Sequence, residues 1–270
     1  HACWLIVSLT VIYSAFSVLY INYLALGTEI GKTYNDHTKI AASRACFGIF
    51  GVTIALTLPE LITLNTKDPQ SSLFWFSVAF VPMLFVSLFA LKSSVPPEPL
   101  TTSANSSIFE NLYSPLKDKN FRILVIIFVF SGIASAIPGL LIVFYVQDVL
   151  KAEHLTWFFI LVYFLSSGTF IPAWVKISRK LGKKVSWQLG MILAITSFSF
   201  AFFLQSGDIF YFVVICVISG IANGADLTLP FSILSDQIKS VPKGDTPQIN
   251  SGYFGFWQLV EKVNLALAAG

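Results

Sequence analysis

Long apolar stretches separated by short polar ones dominate this chain. Residues 2–26, 69–91, 123–147, 155–175 and 185–207 each lack Asp, Glu, Lys and Arg. Roughly 20 apolar residues at 1.5 Å rise cross a hydrocarbon core of ~30 Å, so each run predicts a membrane helix. Three further segments reach that length only by accepting charge: 45–66 with Glu60, 209–235 with Asp226, and 246–270 with Glu261 and Lys262. Eight membrane helices are expected. Barrel strands are the wrong length, being about ten residues of alternating polarity.

Composition agrees with the pattern. Hydrophobic residues make up 55% of the 270 and charged residues 11%, where a soluble domain carries about 25% charged. The mean hydropathy is +0.75. Such a chain places most of its surface in lipid. Cys3, Cys46 and Cys216 fall inside apolar runs without C-x-x-C spacing, as small packing residues do. A net charge of +3 is too small to argue for nucleic acid.

The distribution of that charge is informative. One set of connections holds Lys32, Lys39 and Arg44; Lys92, Lys117, Lys119 and Arg122; Lys176, Arg179, Lys180, Lys183 and Lys184; and Lys239 and Lys243. The alternate set holds only Lys67 and Lys151. Basic loops stay in the cytoplasm. Segments 27–44, 92–122, 176–184 and 236–250 are therefore expected there, in a multi-pass protein of a plasma or inner membrane.

Residues 92–120, rich in Pro, Ser and Thr, read as a flexible linker. The two sides of it resemble each other. A shift of 207 residues sets 28–51 on 235–258 without a gap, bringing Glu29 onto Asp236, Lys32 onto Lys239 and Phe47-Gly48 onto Phe254-Gly255. Parallel repeats of six-helix bundles build many secondary transporters, with the site at the repeat interface near the bilayer midplane. The expected organisation is three last helices of an N-terminal bundle in 1–91, the linker, and five first helices of a C-terminal bundle in 121–270. That is eight helices of twelve.

Particular stretches then carry a resemblance. The loop "ISRKLGKK" (177–184) is similar to a basic cytoplasmic loop of the major facilitator superfamily. "LALGTEIGKTYNDHTKIAASRACFG", "SPLKDKNFRIL" and "LPFSILSDQI", followed by "GYFGFWQLVEKVNLAL", resemble in order and spacing the glycoside-pentoside-hexuronide:cation symporters, the melibiose-permease-like branch. The resemblance implies an all-α membrane protein with the two-bundle major-facilitator fold. It also implies a cavity lysine at Lys262, an arginine early in its helix at Arg44, and a gating acid at Asp236. The family's usual pair of loop arginines is replaced by Asp36-His37-Thr38-Lys39-Ile40, and a second acid after Asp236 is absent. The family's fourth-helix aspartate falls near Tyr20, with Asn22 close by.

Depth singles out the buried charges. Lys262 lies about 12 residues, roughly 18 Å, from the expected helix entry, and Asp226 about ten residues, roughly 15 Å. Either charge left in lipid costs about 3 kcal/mol or more. Both are expected to face a cavity; whether they pair is open at this point, and a static pair fixing helix register is the plain alternative. Glu261 diverges from Lys262 by ~100° around the helix, toward Phe254, Trp257 and Leu265, so Lys262 is the favoured cavity residue. Asn223 lies one turn before Asp226, while Gly220 and Gly224 suit a bend or close packing. Tyr13, Ser17 and Tyr20 form a helical stripe suited to a sugar or to helix packing. Arg44 reads either as a substrate or gate contact or as a residue snorkelling to the headgroups. Glu29, Lys32, Lys39, Asp236 and Lys239 are expected to close the inner mouth through exposed, individually weak ion pairs. Glu60 reads as interfacial.

These features point to a secondary active transporter that moves a sugar or glycoside with a coupling cation, Na⁺ or H⁺, across the lipid bilayer by alternating access. The resemblance places the coupling carboxylates largely on a helix that precedes this sequence. A carrier of lysolipids or other amphiphiles is the alternative within the family. From other classes, an intramembrane enzyme lacks support from H-E-x-x-H, Asp-rich or G-x-S-x-G motifs, and a non-transporting sensor would keep the same fold. His1, His37 and His154 are too dispersed for a metal site, and no cofactor is expected.

Overall fold

The computed structural model describes residues 2–31, 33–66, 69–94, 113–240 and 248–269. Among them are eight long helices: α1 (Ala2–Ile30), α2 (Tyr34–Thr66), α3 (Pro69–Ser94), α4 (Lys119–Phe144), α5 (Thr156–Leu181), α6 (Lys183–Ala201), α7 (Ile209–Ser240) and α8 (Gln248–Ala269). Each of the eight apolar segments has its helix. Six spans combine the length and hydropathy needed to cross a membrane: Cys3–Ile30, Tyr34–Ala55, Phe74–Ser93, Lys119–Val149, Glu153–Leu181 and Ile209–Ser240. Helices α6 and α8 fall outside that set, because Lys183, Lys184 and Gln188 in one and Gln258, Glu261, Lys262 and Asn264 in the other dilute their apolar runs. The protein is a multi-pass integral membrane protein. Most of linker 92–120, together with Lys32, Lys67, Lys243 and the Glu60 side chain, lies outside the described residues.

Local chemistry sets the helix boundaries. Asp118 caps α4, its carboxylate accepting from the Asn120 amide at 2.8 Å, which satisfies a backbone donor the first turn leaves over. Gly182 joins α5 to α6 at φ +86°, a left-handed conformation that costs glycine little. A π-helical turn, Tyr145–Val149, follows α4.

Two compact units form, one from His1–Cys46 with Asn105–Gly270 and one from Phe47–Ala104. In the second, α3 leaves nearly all its described side chains exposed, Phe80, Phe85 and Phe89 among them, as a lipid-facing helix does. In the first, α7 is the central helix, packed on both α5 and α6. Small residues permit this closeness. A Cβ on Gly220 would stand 2.4 Å from the Tyr163 carbonyl oxygen, and one on Gly224 would stand 2.9 Å from that of Ser167. Both glycines thus serve close packing. Against the other side of the core, α8 lies on α4, with Phe128 stacked on Trp257 at 3.8 Å and Phe121 edge-on to Tyr253 at 4.7 Å. Helix α1 also rests on α8, which carries Ser17 toward Lys262.

Candidate functional site

Three polar constellations occupy the first unit. The first is the groove between α1 and α8. Lys262 Nζ donates to the Ser17 hydroxyl, and Leu9, Thr10, Tyr13 and Ser14 complete a recess of about 350 Å³. Lys262 therefore crosses to another helix, and the Tyr13–Ser17 part of the expected stripe faces it. Tyr20, the third member, stacks on Phe16 at 5.5 Å and lies within electrostatic reach of Arg44 and Glu261. The Arg44 guanidinium sits 3.7 Å above the Phe231 ring of α7, a cation–π contact. Arg44 thus turns inward, and the snorkelling alternative is corrected. Glu261 accepts from Gln258 at 2.7 Å and feels the Arg44 charge. Asn22 is spent locally, its amide donating to the Val18 carbonyl at 2.8 Å.

Asp226 centres the second constellation. It accepts from Trp187 Nε1 at 2.9 Å and from the Ser131 and Ser135 hydroxyls at 3.2 Å each. Three donors from α4 and α6 thus hold one carboxylate of α7. Beside it opens a cavity of about 740 Å³, mostly apolar, to which Tyr163 and Asn223 contribute. Asn223 donates to Ser167 Oγ at 3.1 Å. Asp226 and Lys262 do not pair: each has its own partners on different helices. The expectation of one shared cavity is corrected, because facing directions around α7 and α8 depend on packing that depth alone does not reveal.

At the basic end lies the third. Asp236 Oδ1 is 2.7 Å from His37 Nδ1, and Oδ2 is 2.5 Å from Lys183 Nζ. Lys183 also donates to the Tyr34 carbonyl at 2.7 Å and lies 3.6 Å above the Tyr34 ring. Burial pushes the Lys183 ammonium below the ordinary lysine range, and Asp236 draws it back. Lys239 Nζ donates to the Gly31 carbonyl. Alongside, Thr38 and Ser232 hydroxyls meet at 2.9 Å, and Thr28 donates to Ser235 at 3.0 Å. Thr28 and Ser235 are themselves superimposed by the 207-residue shift. Residues on a twofold axis meet their own counterparts, so this contact is what the repeat requires.

The expected gate is therefore partly corrected. Asp236 and Lys239 join helices across the linker as expected. Lys39 instead pairs locally with Asp36 at 3.6 Å, and Glu29 is exposed without an ion pair to a described residue. His37 and Lys183 take their places. Nothing in spacing pointed to Lys183, which lies over 50 positions from Asp236; His37 was visible only as a departure from the family's loop. Among the described residues no group of His, Cys, Asp and Glu is arranged to hold a metal ion.

A polytopic helical protein with paired charges at membrane depth and a bonded closure at one end has the construction of a membrane transporter. The chain belongs to the MFS/sugar transport protein family, whose profile matches residues 1–270. Comparison with curated proteins gives no match.

Proposed function

We propose that this protein is a secondary active symporter that moves a sugar or glycoside together with Na⁺ or H⁺. The contact between Lys262 and Ser17 carries the reading. An ammonium roughly 18 Å into the membrane by helix rise reaches toward hydroxyls on α1, the other side of the linker from α8. Tyr13 and Tyr20 add ring faces and hydroxyls, which suit a sugar's alternating apolar and hydroxylated surfaces. Arg44 and Glu261 supply further charge nearby. In this reading the basic end faces the cytoplasm, the Asp236 cluster closes it, and rocking of the halves exposes the groove to each side in turn.

Uptake by reconstituted protein, measured across a panel of sugars under separate Na⁺ and H⁺ gradients, tests it. Accumulation of a sugar that depends on one gradient is the expected result. No sugar accumulation under either gradient overturns it. A second reading, an amphiphile carrier, is favoured by the largely apolar cavity beside Asp226 and Asn223. Lysolipid transfer between vesicles, with no sugar uptake, would select that one.

A further inference from the structure

His37 is buried, 4% exposed, with its ring held between two acceptors. Nδ1 faces Asp236 Oδ1 at 2.7 Å, and Nε2 faces the Gly31 carbonyl oxygen at 3.3 Å. A neutral imidazole has one N–H and one lone pair; only the imidazolium donates from both nitrogens. Either neutral tautomer would turn its lone pair on an oxygen that is also an acceptor. The packing admits little reorientation, since a Cβ on Gly31 would stand 2.4 Å from His37 Cδ2.

We propose that His37 is a proton-binding site that latches the basic end shut: its imidazolium bridges α1 and α7, and loss of the proton releases the bridge. The charged groups around it set the balance. From α7 come Asp236 and Lys239, from α6 Lys183, and from α2 Tyr34, while Asp36 and Lys39 engage each other on the exposed side and Glu29 of α1 is exposed. Lys183 and Lys239 oppose a third cation, and Asp236 and the Gly31 carbonyl favour it. Of these groups only an imidazole ordinarily changes charge between about pH 5 and 8. Linkage then fixes the sign. A proton held more tightly in the shut form favours that form at low pH, and the preference fades as pH rises.

The repeat makes the device one-sided. The 207-residue shift carries Asp236 onto Glu29 but His37 onto Gly244, so the sequence provides a single titrating latch.

The inference rests on the basic end being a mouth that opens, and its test does not read transport. In full-length chain reconstituted in vesicles, labels at Lys39→Cys and Lys180→Cys report the width of the basic end. Cys3, Cys46 and Cys216 are replaced by alanine for this purpose. Side-chain nitrogen NMR of the unlabelled protein reports the protonation of His37, assigned with His37→Gln. Between about pH 5.5 and 8 the closed population is expected to fall about tenfold, the effect of losing one charge-assisted hydrogen bond, in step with the imidazole signal. In His37→Gln, which donates without titrating, the pH step should vanish. An imidazole neutral at pH 5.5, a width independent of pH, or an undiminished step in His37→Gln would each overturn the proposal. Because uptake plays no part, a chain that moves no sugar can still pass or fail this test.

Discussion

Trp187 and Lys262 illustrate how single side chains acquire roles here. Trp187 Nε1 is one of three donors holding Asp226, and a hydrogen bond to a charged group contributes about 1.5–3 kcal/mol. Trp187→Phe should destabilise the protein by roughly that amount, read as a lowered unfolding midpoint in detergent. Asp226→Asn, which keeps an acceptor oxygen, should cost less. For Lys262 the measurement is uptake: Lys262→Ala should reduce sugar transport about ten- to a hundredfold while leaving thermal stability nearly intact, since the side chain is exposed to the groove. Unchanged uptake would remove Lys262 from the site. The sequence showed both charges, because an ionisable residue in an apolar run is conspicuous. It hid their partners. Serine and tryptophan are ordinary in membrane helices, and nothing in their local pattern says which carboxylate they serve.

At the scale of the helix, contact between α5 and α7 depends on glycines that let backbone meet backbone. Gly220→Ala forces a methyl against the Tyr163 carbonyl and should cost about 1–3 kcal/mol as overpacking. Gly139→Ala is the matched control, with open space where its Cβ would go; its midpoint should stay level or rise. Equal losses in both variants would show that helix propensity, and not helix contact, governs the result. Helix existence was legible throughout, since uncharged runs of spanning length leave the backbone no other way to satisfy its hydrogen bonds in lipid. Which glycine meets which neighbour was not, because close approach is a property of two helices.

Across the molecule, the basic end is held by contacts between segments far apart in the chain: His37 and Lys183 on Asp236, Thr38 on Ser232, Thr28 on Ser235. Asp236→Asn removes the charge shared by two cations and should loosen that end. A cysteine at the buried Thr38 position, introduced as Thr38→Cys, should then react about tenfold faster with a hydrophilic maleimide than in the parent carrying wild-type Asp236. The same rate in both would mean that hydroxyl and packing contacts alone hold the closure. What the sequence determined by itself was everything that follows from solvent: that the chain enters lipid, where its helices run, how basic loops alternate, and that two stretches repeat. Those features are local sums over residues. Only the tertiary structure decided partnership: that Asp226 and Lys262 serve separate sites, that Arg44 lies on Phe231, and that His37 and Lys183 replace Lys39 and Glu29 at the closure. The direction of a side chain depends on the rotation of its helix, and that rotation is set by the packing of all its neighbours at once.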